Sequence, residues 1–454
     1  MKEDQSILNK LTEGSIFKAL VVLSVPIIIA NIFQTVYQLT DAFWVGRLGE
    51  EAVAAVSLSF PIIFLLISLG GGLAIAGTIL VAQYKGKEDQ ENIDFISGQT
   101  LALMSIIAII TSIIGIFGSE FFIESMKQEA AVNKDAILYL QITFSGLIFM
   151  YIFFVFQNIT RGVGDVKTAM YIVLATVFLN FALDPVFIYG FWIIPPLGVA
   201  GAAAATVGTQ ALSAIIGLMY LMSGKEGIHL KLRSLIPNWT AATRLFKLGF
   251  PASIESSTRA LGMVLMTFLV ATFGTTIIAT YGLGTRIMSF VIIPAIGLAM
   301  GTSTLVGQSI GAGKKDRAEK TLKVARKIGF LTLTAAGILL FIFAEPIVTI
   351  FIPGELNVIH EATLFVKIMS VTFGLTGIQM AYIGALRGSG NTKLAMNISI
   401  FILVIMLLFA SITAKFTSLG YYGIWIATPV SSILGTLIAV FYVEKTNWHH
   451  TKVT

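Results

Sequence analysis

The segment RGVGDVKTAM, Arg161–Met170, recurs 226 residues later as RGSGNTKLAM, Arg387–Met396. A second pair, LVAQYKGK from Leu80 and LVGQSIGAGKK from Leu305, lies 225 residues apart. Similarity that persists at nearly one offset indicates a duplicated structural unit. The sequence therefore predicts two halves that share one fold.

The amino-acid composition places both halves in a membrane. Of the 454 residues, 56% are hydrophobic and only 12% are charged, whereas soluble domains carry about 25% charged residues. Cysteine is absent, which excludes disulfides, thiolate metal sites and a cysteine nucleophile. Four histidines leave little for a metal centre. The composition predicts a polytopic membrane protein with no cofactor.

Twelve apolar runs are long enough to cross a bilayer as helices. They lie at about 16–46, 51–84, 93–117, 131–160, 167–190, 197–222, 243–273, 276–310, 319–343, 356–386, 392–414 and 419–443. We expect an all-α fold with an N-lobe at 1–222, a connection at 223–242 and a C-lobe at 243–454. Each half has six spans, an even number, so the two repeats cross the membrane in the same direction. This arrangement is typical of alternating-access transport around a central cavity.

Positive charge predicts the orientation in the membrane. The N-terminus, the loops after even-numbered spans and the C-terminus hold most of the 30 lysines and arginines. Since such residues concentrate on the cytoplasmic side, both termini are expected in the cytoplasm and the protein in the plasma membrane. The net charge of +6 is then a topology signal, and no nucleic-acid partner is expected. The first apolar run is too long for a signal peptide and lacks a clear cleavage site, so it is expected to be retained.

Two carboxylates interrupt the apolar runs of the N-lobe. Asp41 lies far along the first run, and Asp184 far along the fifth, in LNFALDPVF. Asn180 shares a helix face with Asp184 at i,i+4 spacing, and Pro185 leaves a backbone carbonyl without a donor. Charged residues within spans are costly and usually functional. Burial and like-charge proximity favour protonation, while clustered oxygens suit a hard cation. The alternatives to a functional site are that Asp41 lies at the surface and that Asn180 and Asp184 form a structural contact between helices.

The duplication shows that the fold itself does not need these acids. Met266 stands in the C-lobe where Asp41 stands in the N-lobe, and Ala410 corresponds to Asp184. Polar chemistry confined to one lobe predicts a site there. In the C-lobe, Arg286 is expected to be buried and to need an anionic partner. Glu255 and Arg259 are expected to satisfy each other as an i,i+4 pair.

Two motif matches are rejected. GVGD at Gly162–Asp165 resembles the signature of intramembrane aspartyl proteases, but it falls in a loop flanked by basic residues, and its repeat reads GSGN. GAGKKD at Gly311–Asp316 lacks the earlier glycine and the Ser or Thr of a nucleotide-binding P-loop. The chain is therefore not expected to be an enzyme.

Taken together, these motifs resemble the MATE (multidrug and toxic compound extrusion) family over essentially the whole chain. The C-lobe stretch RIMSFVIIPAIGLAMGTSTLVGQSIGAG is similar to its DinF-like branch. The resemblance implies two six-helix bundles in a V around a central cleft. It also implies that a cation site, for H⁺ or Na⁺, forms at Asp41, Asn180, Asp184 and Thr206. Candidate substrate or cavity residues are Gln34, Tyr37, Tyr139, Gln157 and Arg286.

The expected function is secondary active efflux of organic cations or amphipathic compounds in exchange for H⁺ or Na⁺, by a monomer in the lipid bilayer. Apart from the coupling ion, no metal is expected. An exporter or flippase of a lipid or lipid-linked precursor is the alternative transport function. A membrane enzyme or scaffold is the alternative from another class, and the spans contain no catalytic motif that supports it.

Overall fold

The computed structural model describes residues 11–126 and 129–450, and within them the chain is built of α-helices joined by short connections. In chain order these are α1 (Ile16–Gly46), α2 (Glu50–Gly86), α3 (Gln90–Glu124), α4 (Ala130–Ser145), α5 (Leu147–Val163), α6 (Val166–Tyr189), α7 (Val199–Met222), α8 (Trp239–Ala271), α9 (Thr275–Gly311), α10 (Lys315–Ile342), α11 (Ala344–Phe351), α12 (Leu356–Ser370), α13 (Phe373–Gly388), α14 (Thr392–Phe416) and α15 (Tyr421–Lys445). Both ends of the chain, predicted to be cytoplasmic, extend beyond the described residues.

The described helices match the predicted spans in number and order. Nine of them are individually long and apolar enough to cross a membrane, and two bent pairs, α4 with α5 and α12 with α13, each supply a further span. The 37-residue α2 accounts for the remaining predicted run. Helices satisfy their own backbone hydrogen bonds, which lipid cannot do for them. The predicted all-α polytopic fold is confirmed.

The fourth and tenth predicted spans are broken helices. The helices bend by 49° between α4 and α5 and by 51° between α12 and α13, although each run was expected as one helix. The first break lies at Gly146, where an added Cβ would overlap Val207 of α7. The second lies at Val371 and Thr372, at the corresponding place in the repeat. The duplication therefore extends to the position of the bend, which apolar run length alone does not reveal.

Packing divides the chain into two compact units whose borders fall inside helices. Among the described residues, unit 1 holds Ile29–Ser253, while unit 2 holds residues 11–28 and 254–450. The first part of α1 thus packs with the second half of the sequence, and the first part of α8 packs with the first half. Pro26 and Pro251 lie within a turn of these borders, where each removes one helical hydrogen bond. The packing borders differ in this way from the sequence division at 222 and 243.

Unit 1 is centred on α2 and α5, which contact each other and both contact α3. Its largest fully buried side chains are aromatic: Tyr151 and Phe156 on α5, and Phe144 on α4. Glycines on neighbouring helices admit these rings, since a Cβ at Gly115 or Gly217 would overlap Phe144 or Phe156. Small residues opposite large ones let membrane helices approach closely.

Unit 2 is centred on α13, which packs against α9, α10 and α15. Its crossings are backbone contacts between small residues: Gly377 faces Gly329 on α10, and Gly384 faces Ala299 on α9. Trp425 on α15 is fully buried, with its ring 4.8 Å from that of Phe365 on α12. Close helix contact and aromatic packing thus hold this unit together.

The GVGD segment is a turn between two helices. Gly164 adopts a left-handed conformation with φ of 99° and ends α5. Asp165 caps α6, accepting a hydrogen bond from the backbone N–H of Thr168 at 3.1 Å, and it also accepts one from the Tyr220 hydroxyl at 2.6 Å. Its carboxylate is used structurally, as in an ordinary helix cap.

We predict that Gly377→Ala destabilises the protein by about 1–3 kcal/mol, the usual cost of overpacking a tight contact. The new methyl group would overlap the backbone of Gly329, which cannot move aside as a flexible side chain could. Gly282→Ala is the matched control, because that helical glycine of α9 has nothing within 4 Å of an added Cβ. Thermal unfolding of both variants in detergent measures the difference, and equal Tm values would contradict the prediction.

Candidate ion-coupling site

Three helices of unit 1 bring the predicted polar residues together. On α1, Tyr37 and Asp41 are one turn apart, and on α6, Asn180 and Asp184 are one turn apart, so each pair shares a helix face. The third helix, α7, contributes Thr206. Residues from the beginning and end of the N-terminal half therefore meet at one place.

Each carboxylate accepts a hydrogen bond from a neighbouring uncharged side chain. The Thr206 hydroxyl donates to Oδ2 of Asp41 at 3.2 Å, and Nδ2 of Asn180 donates to Oδ1 of Asp184 at 2.9 Å. Asp184 is fully buried. These two bonds orient the acids, but each carboxylate has two oxygens and room for more donors.

The carboxyl groups of Asp41 and Asp184 lie within hydrogen-bonding reach of each other, and Asp41 also interacts with Asn180. Three buried oxygens of this cluster have no hydrogen-bond partner among the described residues: Oδ1 of Asp41, Oδ1 of Asn180 and Oδ2 of Asp184. Two carboxylates facing each other both present acceptors, so a proton or a cation shared between them would satisfy both. The geometry suits a site that takes up one positive charge.

Apolar and aromatic residues surround this cluster. Tyr139 on α4 is close enough to interact electrostatically with both acids, and it packs against a core that includes Val45 and Ile188. Trp44, three residues beyond Asp41, packs against the same core. A low-dielectric surrounding strengthens the interaction of the acids with each other and with any bound cation.

Three other predicted residues lie elsewhere. Gln34 is exposed on α1 and Gln157 is half-buried on α5, and neither side chain forms a hydrogen bond with the acids in the described structure. Arg286 belongs to unit 2 and is exposed. The expectation that Arg286 is buried with an anionic partner is wrong: within the described residues its side chain has no ion pair, because its face of α9 is left uncovered by its own unit.

Thr209 is a site neighbour that the sequence did not single out. Its hydroxyl lies 3.2 Å from the hydroxyl of Tyr37, and it sits three residues after Thr206 on the same face of α7. Its spacing from Thr206 is the sequence signal that could have identified it as a neighbour of the site. The Tyr37–Thr209 contact links α1 to α7 a turn away from Asp41, and so helps to fix the acid-bearing part of α1.

A second buried carboxylate, Glu255 of unit 2, contrasts with the acids of unit 1. Oε1 of Glu255 pairs with Arg259 at 3.4 Å, as the sequence predicted, and Oε2 accepts a hydrogen bond from Nε of Arg387 at 2.7 Å. Arg387 lies 132 residues away in the repeated loop motif, so spacing could not reveal this contact. With both oxygens paired to arginines, Glu255 joins α8 to α13 and its charge is already balanced.

The folded arrangement defines a class of protein: a polytopic helical membrane protein made of two repeated halves, with a buried acidic pocket in one of them. The sequence profile of the MatE family matches residues 26–186 and 251–412, one segment in each half. The chain belongs to the MatE family. Its members with solved structures are transporters, and the chain is accordingly a transporter and not an enzyme.

Individual relatives agree over the full length. "Probable multidrug resistance protein YoeA" of Bacillus subtilis is 28% identical, covering 100% of this chain and 98% of its own. "Probable multidrug resistance protein NorM" of Thermotoga maritima is 26% identical, covering 96% and 94%. A solved structure described as the outward-facing conformation of a multidrug resistance MATE family transporter of the MOP superfamily superposes with a TM-score of 0.89 at 26% identity, covering 98% of each chain.

We predict that Asp184→Asn leaves the thermal stability unchanged or raises it. The amide removes one of two facing carboxylates and supplies N–H donors to the unpartnered oxygen of Asp41. Thermal unfolding in sodium-free buffer at neutral pH or above, where ionised carboxylates repel most strongly, is the measurement. A clear fall in Tm would show that the two acids stabilise the fold and would contradict the prediction.

Removing Arg387 should have the opposite effect. Arg387→Gln leaves a buried carboxylate with a weakened partner, and breaking such a pair typically costs about 3–5 kcal/mol. Arg259→Gln is the matched control and should cost less, because the side chain of Arg259 is 38% exposed whereas that of Arg387 is 13% exposed. Comparable losses of Tm in the two variants would contradict this ranking.

Proposed function

We propose that the protein is a secondary active multidrug efflux antiporter, which exports organic cations or amphipathic compounds in exchange for H⁺ or Na⁺. The proposal places coupling at Asp41 and Asp184, with Asn180 and Thr206 as further oxygen ligands or hydrogen-bond partners. Tyr37 and Tyr139 border this pocket. The coupling ion is the only bound group required, so no cofactor or other metal takes part.

The observation that carries the proposal is a group of three buried oxygens, on Asp41, Asn180 and Asp184, that have no hydrogen-bond partner within residues 11–126 and 129–450. A structural role would favour complete pairing, as at Glu255. Carboxylate and amide oxygens are suitable ligands for a hard cation, and facing carboxylates readily share a proton. Because the same acids can hold either an ion or a cationic substrate, binding of one disfavours the other, which is the thermodynamic basis of exchange.

The substrate class rests on the relatives. They carry the names multidrug resistance or multidrug export protein, and their similarity over the whole chain supports small amphipathic substrates here. Gln34, Gln157 and Arg286 are proposed to contact substrate. The protein is proposed to act as a monomer in the plasma membrane, with both termini in the cytoplasm, and to belong to the DinF-like branch.

Efflux should be lost in Asp41→Asn and in Asp184→Asn while both variants remain folded. An amide cannot release a proton or supply the negative charge that draws in a cation, so ion binding no longer drives substrate out. Dye efflux from proteoliposomes measures the effect. Asp135→Asn, at a non-buried aspartate of α4 in the same unit, is the control and should keep wild-type efflux. Normal efflux from both site variants would overturn the proposed mechanism.

The same vesicles distinguish the coupling ion. A pH gradient and a Na⁺ gradient are imposed separately, each with the other ion equal on both sides. Efflux driven by one of the gradients identifies that ion, and the site variants should respond to neither. Absence of efflux under both gradients, together with transfer of a labelled lipid-linked precursor between leaflets, would contradict antiport and favour a flippase.

A further inference from the structure

Unit 1 has a second feature that ion coupling does not use: a groove of about 660 Å³ on its surface, between α3 and the first part of α8. Its walls are formed mainly by apolar residues, with Leu103 on α3, Pro237 before α8, and Trp239, Phe246 and Phe250 along α8. A volume of this size accommodates a drug-sized molecule or a lipid chain.

The α8 wall is a continuous helix face left uncovered by protein. Trp239, Phe246 and Phe250 follow one another at intervals of seven and four residues, which places them along one side of the helix. Their side chains are 86%, 47% and 64% exposed. On a membrane-spanning helix an exposed apolar face of this kind contacts lipid chains, and Trp is typical of the membrane–water boundary.

Lys247 gives the groove its charge. Of the described residues that line the groove, Lys247 is the one with a charged side chain, and it is exposed. Arg244, one turn earlier, donates a hydrogen bond to the Tyr84 hydroxyl at 2.8 Å, whereas the described structure shows no hydrogen bond, ion pair or ring contact for Lys247. It lies eight residues beyond Trp239, about 12 Å along the helix. A cation at that depth needs an anion or must extend back to the boundary.

The repeat shows that α8 does not need a lysine at this position. In the first half, 225 residues earlier, Val22 stands where Lys247 stands, and Val21 and Val25 correspond to Phe246 and Phe250. The duplicated scaffold therefore accepts an apolar residue there. At these three positions the second copy carries a lysine and two aromatic rings where the first carries valines, so these side chains are not required by the shared fold.

The connection before α8 extends the basic and apolar surface. Gln99 on α3 holds this connection in place: its Nε2 donates to the carbonyls of Ser234 and Ile236 at 2.7 Å, and its Oε1 accepts from the N–H of Asn238 at 2.7 Å. Leu232 and Ile236, exposed by 74% and 67%, lie on this connection. The exposed cations Lys231 and Arg233 flank Leu232. Basic residues interspersed with exposed apolar ones are characteristic of segments that bind anionic lipid.

We propose that this groove binds one glycerophospholipid with an anionic headgroup. Its phosphate lies near the boundary at Trp239 and pairs with Lys247, whose side chain extends back toward that boundary. Its acyl chain runs inward along Phe246 and Phe250. The lipid comes from the cytoplasmic leaflet, where the proposed orientation places this end of α8. The site is separate from the acidic pocket, so it does not depend on the proposed antiport.

Native mass spectrometry of the delipidated full-length protein tests the site. The protein is titrated with phosphatidylglycerol or with phosphatidylcholine of the same acyl chains. Wild type should retain one phosphatidylglycerol in preference to phosphatidylcholine. Lys247→Val, which introduces the residue found at Val22, should lower that preference about fivefold, the effect of one basic residue at a membrane surface. Lys393→Val, at an exposed lysine of α14 in unit 2, should not change it.

A second variant tests the apolar wall. The double substitution Phe246→Ala and Phe250→Ala should weaken binding of both lipids, because it removes chain contacts and leaves the charge. The Tm of each variant is also measured, and a Tm equal to that of wild type shows that a loss of lipid is not a loss of fold. Equal retention of both lipids by wild type, or an unchanged preference in Lys247→Val, would overturn the proposal. Unchanged binding in the double variant would place the lipid outside the groove and overturn it as well.

Discussion

Lipid offers no hydrogen bonds, and this constraint shapes the whole molecule. It makes every span a helix, because only then are backbone groups satisfied within the segment. It also sets a rule for side chains: hydroxyls such as those of Thr302 and Ser309 donate to the carbonyl four residues earlier on their own helix. Where the protein departs from full pairing, some other partner has to complete the arrangement, and such places are candidates for function.

The two buried acidic centres illustrate this rule. Glu255 has an arginine for each of its oxygens, so the charge serves to join two helices. Asp41 and Asp184 face each other, and three oxygens there, counting that of Asn180, have no hydrogen-bond partner in the part of the chain that the structure describes. Both centres are costly to bury, but only the second would gain by taking up a cation or a proton. The difference lies in the partners and not in burial.

Duplication provides an internal control for interpreting these residues. What both halves share belongs to the scaffold: the glycine-containing loop motif, the prolines near the packing borders and the bent fourth helix of each half. What only one half carries calls for another explanation. The acids of unit 1 and Lys247 in the groove of α8 both fall in this second group, because Met266 and Val22 fill two of the corresponding positions.

The sequence by itself determined the helices, their number and order, the duplication and the identity of the acids, because run length, offset and residue type are local properties. The i,i+4 relation of Asn180 to Asp184 was also predictable, since one helix fixes it. Only the tertiary structure decided that Thr206 reaches Asp41, that Arg387 completes the pairing of Glu255, and that Arg286 is exposed. It also decided which oxygens remain unpaired. These contacts join helices far apart in the chain, and their geometry depends on how the helices pack, which no local pattern encodes.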